Sequence, residues 1–255
     1  MGEITFRCGN LIEGGAFLYL HRDCLTRLSV RQTRNFFLVD SPSSLRRGLS
    51  SPFSVLQSLK TDDAAGLLAP LICRLLSSSL THLKLEDDLV IECFSEQQEE
   101  ALQLLTSLEH LTLWNWSKLQ CLPAGLRRLP KLKRLEIILC SAIRSLPKGS
   151  LPNSLQELEI SNCHGIRTLP EDGLPNSLQQ LRIGACSAIR SLPKDVLPDS
   201  LQELQILFCP AIRTLPKDGL PSSLRLLDVK HCGNEELKRH CRKLIGTIPI
   251  VEAGF

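Results

Sequence analysis

Leu132, Leu155, Leu178, Leu201 and Leu224 stand 23 residues apart along this 255-residue chain. A period kept over several consecutive steps constrains the fold more tightly than any local propensity, because every unit must follow the same path. Each unit reads LxxLxIxxCxxIxxLP. In the copy that begins at Leu155, Leu158 and Ile160 are two residues apart and so share one face of a short strand. Ile166 and Leu169 are three apart and are followed by Pro170, the mark of a tight, irregular return. One such coil cannot bury its own leucines, so coils have to stack. Stacking aligns the strands into a parallel sheet on one face and puts the return segments on the other. Leu108 precedes the series by 24 residues, and the spacing then loosens through Leu80, Leu56 and Leu25.

This is the signature of a leucine-rich repeat. The expected fold is α/β: a leucine-rich-repeat solenoid, or horseshoe, with a parallel sheet on the concave face. Short helices, 3-10 turns and loops are expected on the convex face. Residues 1–24 read as a divergent or truncated N-terminal segment, 25–107 as irregular long repeats with convex helices, and 108–232 as regular repeats. Residues 233–255 read as a C-terminal capping helix and tail. "SPSSLRRGLSSP", Ser41–Pro52, reads as a loop, and residues 64–76 as a helix. "SEQQEEALQLL" reads as a helix capped by Ser95. "GNEELKRHCRKL" reads as a final helix with Asn234 as N-cap and acidic residues in its first turn, covering the apolar edge of the last coil.

Leucine supplies about one residue in five, far above ordinary usage. Aromatics supply only 4% and the net charge is +3, so no strongly basic nucleic-acid binder is indicated. No apolar run approaches the ~18 residues of a membrane span; "LLAPLICRLL" is short and carries Arg74. "MGEITFRCGNLIEGG" lacks the profile of a secretory leader, and Phe6 stands where a myristoylation pattern wants Ser or Thr. The expected location is the cytoplasm or nucleus, where the "NWS" triplet at Asn115–Ser117 has no glycosylation role. A GxxxxGK[ST] loop, a GxSxG elbow, an HExxH pair and a CxxC pair are all missing, so no enzyme activity, cofactor or metal is expected. His231–Cys232 and His240–Cys241 could be imagined as a zinc set, but Cys232 belongs to a core column and His240 to a charged helix.

That column is Cys140, Cys163, Cys186, Cys209 and Cys232, taken from 11 cysteines. A thiol is a small apolar group with a weak donor, suited to a buried turn that meets the next coil's backbone. A disulfide or metal stack is the rival reading; the lockstep with the repeat favours structural thiols in a reducing compartment.

The letters that change lie beside the strand leucines. One column reads Trp114, Ile138, Ser161, Gly184, Leu207 and Lys230; the next reads Asn115, Leu139, Asn162, Ala185, Phe208 and His231. Alternation places both outside the core, on the concave side. Large apolar residues there are unexpected in an inert sheet, and aromatic anchors ringed by polar groups are what protein interfaces use. Trp114, Ile138, Leu139, Leu207 and Phe208 are therefore the candidate partner-binding cluster. A second candidate is the basic ridge of Arg144, Arg167, Arg190 and Arg213, with Lys148, Lys194 and Lys217 nearby and Glu171 breaking that second row. It would suit an acidic partner or phosphate. It also fits a solvated edge whose aliphatic stems cover apolar surface.

"LTSLEHLTLWNWSKLQCLPAGLRRLPKLKRLEI", "LPNSLQELEISNC" and "CRKLIGTIPIVE" resemble the repeats of plant nucleotide-binding leucine-rich-repeat immune receptors. The likeness is to the C-terminal part of cereal coiled-coil-type members and spans roughly residues 25–250. CxxIxxLP is the cytosolic form, whereas extracellular plant repeats carry NxLxGxIP. The resemblance implies a module that recognises a pathogen effector or a guarded host protein, or that contacts the nucleotide-binding domain of a full-length receptor. It implies neither a nucleic-acid partner nor a membrane span. The coiled-coil and nucleotide-binding domains are absent from this sequence, so nucleotide binding and signalling output do not transfer. The alternative is a substrate-recognition repeat domain of a ubiquitin ligase of the F-box type, although those repeats are longer and lack the regular LP. "LPNSLQEL" is also similar to repeats of bacterial secreted ubiquitin ligases, which need a separate catalytic domain with a cysteine nucleophile.

Overall fold

The computed structural model describes residues 2–7, 21, 23–33, 35–37, 55–146, 149–170, 173–192, 197–216 and 220–254. Among the described residues, eleven strands form one sheet in chain order: β1 (Gly2–Arg7), β2 (Leu25–Arg31), β3 (Ser58–Thr61), β4 (His82–Glu86), β5 (His110–Trp114), β6 (Arg134–Ile138), β7 (Glu157–Ser161), β8 (Gln180–Gly184), β9 (Glu203–Leu207), β10 (Leu226–Asp228) and β11 (Ile250–Glu252). Every neighbouring pair from β1 to β11 is parallel. The register follows the repeat: Leu135, Leu158, Leu181, Leu204 and Leu227 stand side by side, as do Ile137, Ile160, Ile183 and Ile206. These residues are buried, and their strand neighbours alternate outward. The fold is a leucine-rich-repeat solenoid.

The long early coils return through helices. The helix expected over 64–76 is divided into α1 (Ala64–Leu67) and α2 (Pro70–Leu76). Proline has no N–H to continue α1 and disfavours helical backbone in the residue before it. Ala69 is accordingly extended, and Pro70 opens α2. α3 (Glu96–Gln103) starts in a capping box: the Gln98 N–H donates to Ser95 Oγ at 3.3 Å, and the Ser95 N–H donates to Gln98 Oε1 at 2.9 Å. The next coil returns through a 3-10 helix, Ala124–Arg128, whose first amides donate to the Glu99 carboxylate of α3. Among the described residues, the coils from β6 to β10 have no helix and turn on their Leu-Pro pairs.

Both ends carry a strand. The segment expected to be divergent contains β1, paired with β2. At the other end Asn234 Oδ1 accepts from the amides of Glu236 and Leu237 and starts α4 (Glu235–Arg242). This helix is not the last element. It buries Leu237 and Cys241, and the chain then runs on to β11, with Ile250 N–H donating to Arg225 O at 3.0 Å. α4 is thus the convex side of one further coil, and the sheet edge is β11 rather than β10. Ser41–Pro52 lies outside the described residues.

Two polar ladders tie the regular coils together. The thiols of Cys140, Cys163, Cys186, Cys209 and Cys232 donate to Leu113 O, Ile137 O, Ile160 O, Ile183 O and Ile206 O over 3.2–3.7 Å. Each thiol is also within 3.3–3.7 Å of a carbonyl two residues before it, so its acceptors belong to the preceding coil and to its own, not to the next. The link to the next coil runs the other way, as when the Cys186 N–H donates to Cys209 Sγ at 3.4 Å. Burial pushes the Cys186 thiol up to about 11 and the Cys209 thiol up to about 12. The second ladder is of hydroxyls: Ser154, Ser177, Ser200 and Ser223 donate to Leu132 O, Leu155 O, Leu178 O and Leu201 O at 2.6–2.8 Å. The serine of "LPxS" therefore satisfies a carbonyl that the tight return leaves without a strand partner.

Candidate interaction surface on the concave face

Trp114 and Ile138 are register partners at the ends of β5 and β6, and both are half-buried. Leu207 lies in the same row three strands on, beyond Ser161 and Gly184. Leu139 and Phe208 follow their strands and expose 38% and 56% of their surface, so neither is part of the core. The five residues form two groups, one on β5–β6 and one on β9, with small residues between them. Phe208 stacks on His231, with ring centroids 4.6 Å apart and planes 9° from parallel.

The row of Asn115, Leu139, Asn162, Ala185, Phe208 and His231 is not an extension of the strands. Each has φ between 50° and 60°, in the left-handed region. Asp87 stands at the same place with φ of 52°. The kink turns the amide toward the next coil: Asn115 N–H donates to Ile138 O at 2.8 Å, and Leu139 N–H to Ser161 O at 2.9 Å. Asparagine tolerates this backbone, whereas bulky side chains adopt it rarely. Leu139 and Phe208 thus stand where the backbone disfavours them. The asparagines at 115 and 162 were the available sequence signal for the kink.

Charge is distributed unevenly along the face. Glu86 is 3% exposed and receives Arg31, Lys60 and Lys84, each at 2.9 Å. Burial raises its carboxyl pKa, but the hydrogen bonds from Lys60 and Lys84 outweigh burial and hold it below the ordinary range. Lys84 Nζ also sits 4.1 Å from the Trp114 ring centroid, a cation–π contact that fixes the indole. His82 and His110 meet with ring centroids 4.2 Å apart. Burial, then His82 and Arg134, lower the pKa of His110. Further along, Arg134 pairs with Glu136 at 2.7 Å and Glu157 at 2.6 Å. A shallow space of about 160 Å³ lies over Glu157, Glu159, Arg182 and Glu203, and one of about 220 Å³ over Lys60, His82, His110 and Arg134. Both fall below the usual size of a small-molecule pocket. A buried acid held by three cations had no sequence signal, because its partners come from three different coils.

Arg144, Arg167, Arg190 and Arg213 are all exposed, on the return segments beyond the thiol column. Arg144 and Arg167 line an open groove of about 820 Å³ together with Glu92, Lys118 and His164. Lys148, Glu171, Lys194 and Lys217 lie outside the described residues. Among the described residues, no group of three or more His, Cys, Asp or Glu side chains is placed to hold a metal ion, and no helix is long and apolar enough to cross a membrane.

No protein-family model matches the chain. No curated protein matches it either. Similar solved structures include the leucine-rich repeat domain of the type III effector XCV3220 (XopL), at 22% identity and a TM-score of 0.48, covering 72% of this chain and 71% of that one. The Toll–Spatzle complex, a molecular hub in Drosophila development and innate immunity, is similar at 16% identity and a TM-score of 0.43, covering 88% of this chain and 36% of that one. CroV588, a circular leucine-rich-repeat protein, is similar at 18% identity and a TM-score of 0.33, covering 92% and 38%.

Proposed function

We propose that this chain is the recognition module of a plant innate immune receptor acting in the cytoplasm or nucleus. Its concave rim binds a protein: a pathogen effector, a guarded host protein, or the nucleotide-binding domain of the same receptor. The fold itself suggests a protein-interaction module rather than an enzyme. The observation that carries the reading to this surface is the pair Leu139 and Phe208, exposed and held at φ of 59° and 55°. Bulky apolar residues in a disfavoured backbone region are kept where the surroundings over-determine them, and such places cluster at binding sites. Trp114 and Ile138 extend the Leu139 shoulder, and Leu207 extends that of Phe208. The low saddle at Ser161, Asn162, Gly184 and Ala185 leaves room for a protruding loop or helix. The assignment to plant immunity rests on the CxxIxxLP repeats and the segments quoted above.

The test pairs Trp114→Ala with Phe208→Ala in capture from plant cytosol and in a cell-death assay within a full-length receptor. Each truncation is expected to weaken binding by roughly 30-fold, the loss of about 2 kcal/mol typical of a hot spot. Normal binding and signalling by both variants, with melting like the parent, would move the site away from this rim.

A further inference from the structure

Two thiols outside the repeat's cysteine column face one another across adjacent coils. Cys93 lies between β4 and α3, Cys121 lies between β5 and the 3-10 helix, and their sulfurs are 3.4 Å apart. Cys93 is exposed and Cys121 is half-buried. The preceding residues hold the two segments together: the Gln120 N–H donates to Glu92 O at 2.8 Å, and Gln120 Nε2 to Glu92 Oε2 at 3.0 Å. The repeat explains neither cysteine. The regular coils place hydroxyls at the position of Cys121, namely Ser145, Thr168, Ser191 and Thr214. Only here does a thiol replace the hydroxyl, and it meets a second thiol on the coil before.

We propose that Cys93 and Cys121 are a modification site, a dithiol that hydrogen peroxide converts to a disulfide and a small-molecule thiol restores. The exposed Cys93 thiolate attacks one peroxide oxygen; the S–O bond forms, the O–O bond breaks, and the departing hydroxide is protonated to water. The Cys121 thiolate then attacks the Cys93 sulfur; the S–S bond forms, the S–O bond breaks, and a second water leaves. Two thiols and one peroxide give one disulfide and two waters. The sulfurs must close by about 1.4 Å to reach bonding distance, within reach of side-chain rotation at an exposed cysteine. Burial, and then the hydrogen bond that the Cys121 thiol donates to Cys93, push the Cys121 thiol up to about 11, so the second step should quicken as pH rises. The column thiols are sequestered from this chemistry: Cys140, Cys163, Cys186, Cys209 and Cys232 are each 3% exposed or less.

The experiment treats dilute, reduced full-length chain with equimolar hydrogen peroxide at neutral pH. Thiols are blocked with iodoacetamide, first native and then denatured, and peptides are mapped by mass. The expected product is a monomeric chain with one Cys93–Cys121 cross-linked peptide, two fewer alkylated thiols, and full reversal by dithiothreitol. Cys93→Ser and Cys121→Ser should each abolish the cross-link, and Cys24→Ser should not. A disulfide-linked dimer, separate sulfinic acids at Cys93 and Cys121, or unimpaired alkylation of both would overturn the proposal. The parent measurement needs no variant, so a misfolded variant cannot decide the outcome.

Discussion

Trp116 donates its indole Nε1–H to the carbonyl oxygen of Leu85, 3.2 Å away on the preceding coil. Leu85 and Leu113 are register partners, and Leu113 O is the acceptor of the Cys140 thiol one coil later. Trp116 therefore occupies the cysteine position of its own coil and performs the same task with a larger side chain. It is fully buried, against Phe94 at 5.6 Å, while Trp114 two residues earlier faces the concave side under Lys84.

The two tryptophans should respond in opposite ways. Trp116→Ala is expected to cost about 3–5 kcal/mol, from the cavity and the orphaned carbonyl together. Trp116→Phe keeps most of the volume and should cost about 1–3 kcal/mol. Trp114→Ala loses a cation–π contact and should cost about 1 kcal/mol or less. Chemical denaturation of the three variants checks this. A larger loss at Trp114 than at Trp116 would reverse the inside–outside assignment.

Leu139 and Phe208 give a test in which stability and binding separate. A non-glycine residue in the left-handed region costs about 1–2 kcal/mol, and glycine relieves it against a smaller entropic loss. Leu139→Gly and Phe208→Gly should melt at or slightly above the parent while binding weakens. Leu139→Val, branched at Cβ, should melt below the parent. The idea is lost if the valine variant is the more stable of the two.

The period makes the sheet legible in the sequence, because residues at equal steps must stack. Leu158 and Ile160 were readable as core and Phe208 as outside it. Periodicity does not encode which carbonyl a side chain reaches. The thiols were expected to meet the following coil and meet the preceding one, and the serines of "LPxS" bore no visible role. Elements off the period were harder still. β1 and β11 pair with neighbours through backbone hydrogen bonds that leave almost no residue signature. Glu86 gathers Arg31, Lys60 and Lys84 from coils of unequal length, so no fixed spacing could reveal it.

The buried thiols also predict how stability depends on pH. Cys186 and Cys209 stand at about 11 and about 12 in the folded chain because of burial, against an unfolded value of 9.0. Below pH 9 both states hold the thiol proton, and this contribution is fully present. Between about 9 and the folded values the unfolded chain releases protons that the folded chain keeps. Stability therefore falls as pH rises through that window, by at most about 1.4 kcal/mol per pH unit for each thiol. Denaturant midpoints at pH 8, 9 and 10 should decline with a slope that the double variant Cys186→Ala, Cys209→Ala makes shallower. Its midpoint at pH 8 should already be lower, from lost packing, so the slope and not the intercept is the readout. Parallel slopes for parent and double variant would mean that Cys186 and Cys209 are not what loses protons on unfolding, and the alkaline loss would then belong to other buried thiols such as Cys73 and Cys241.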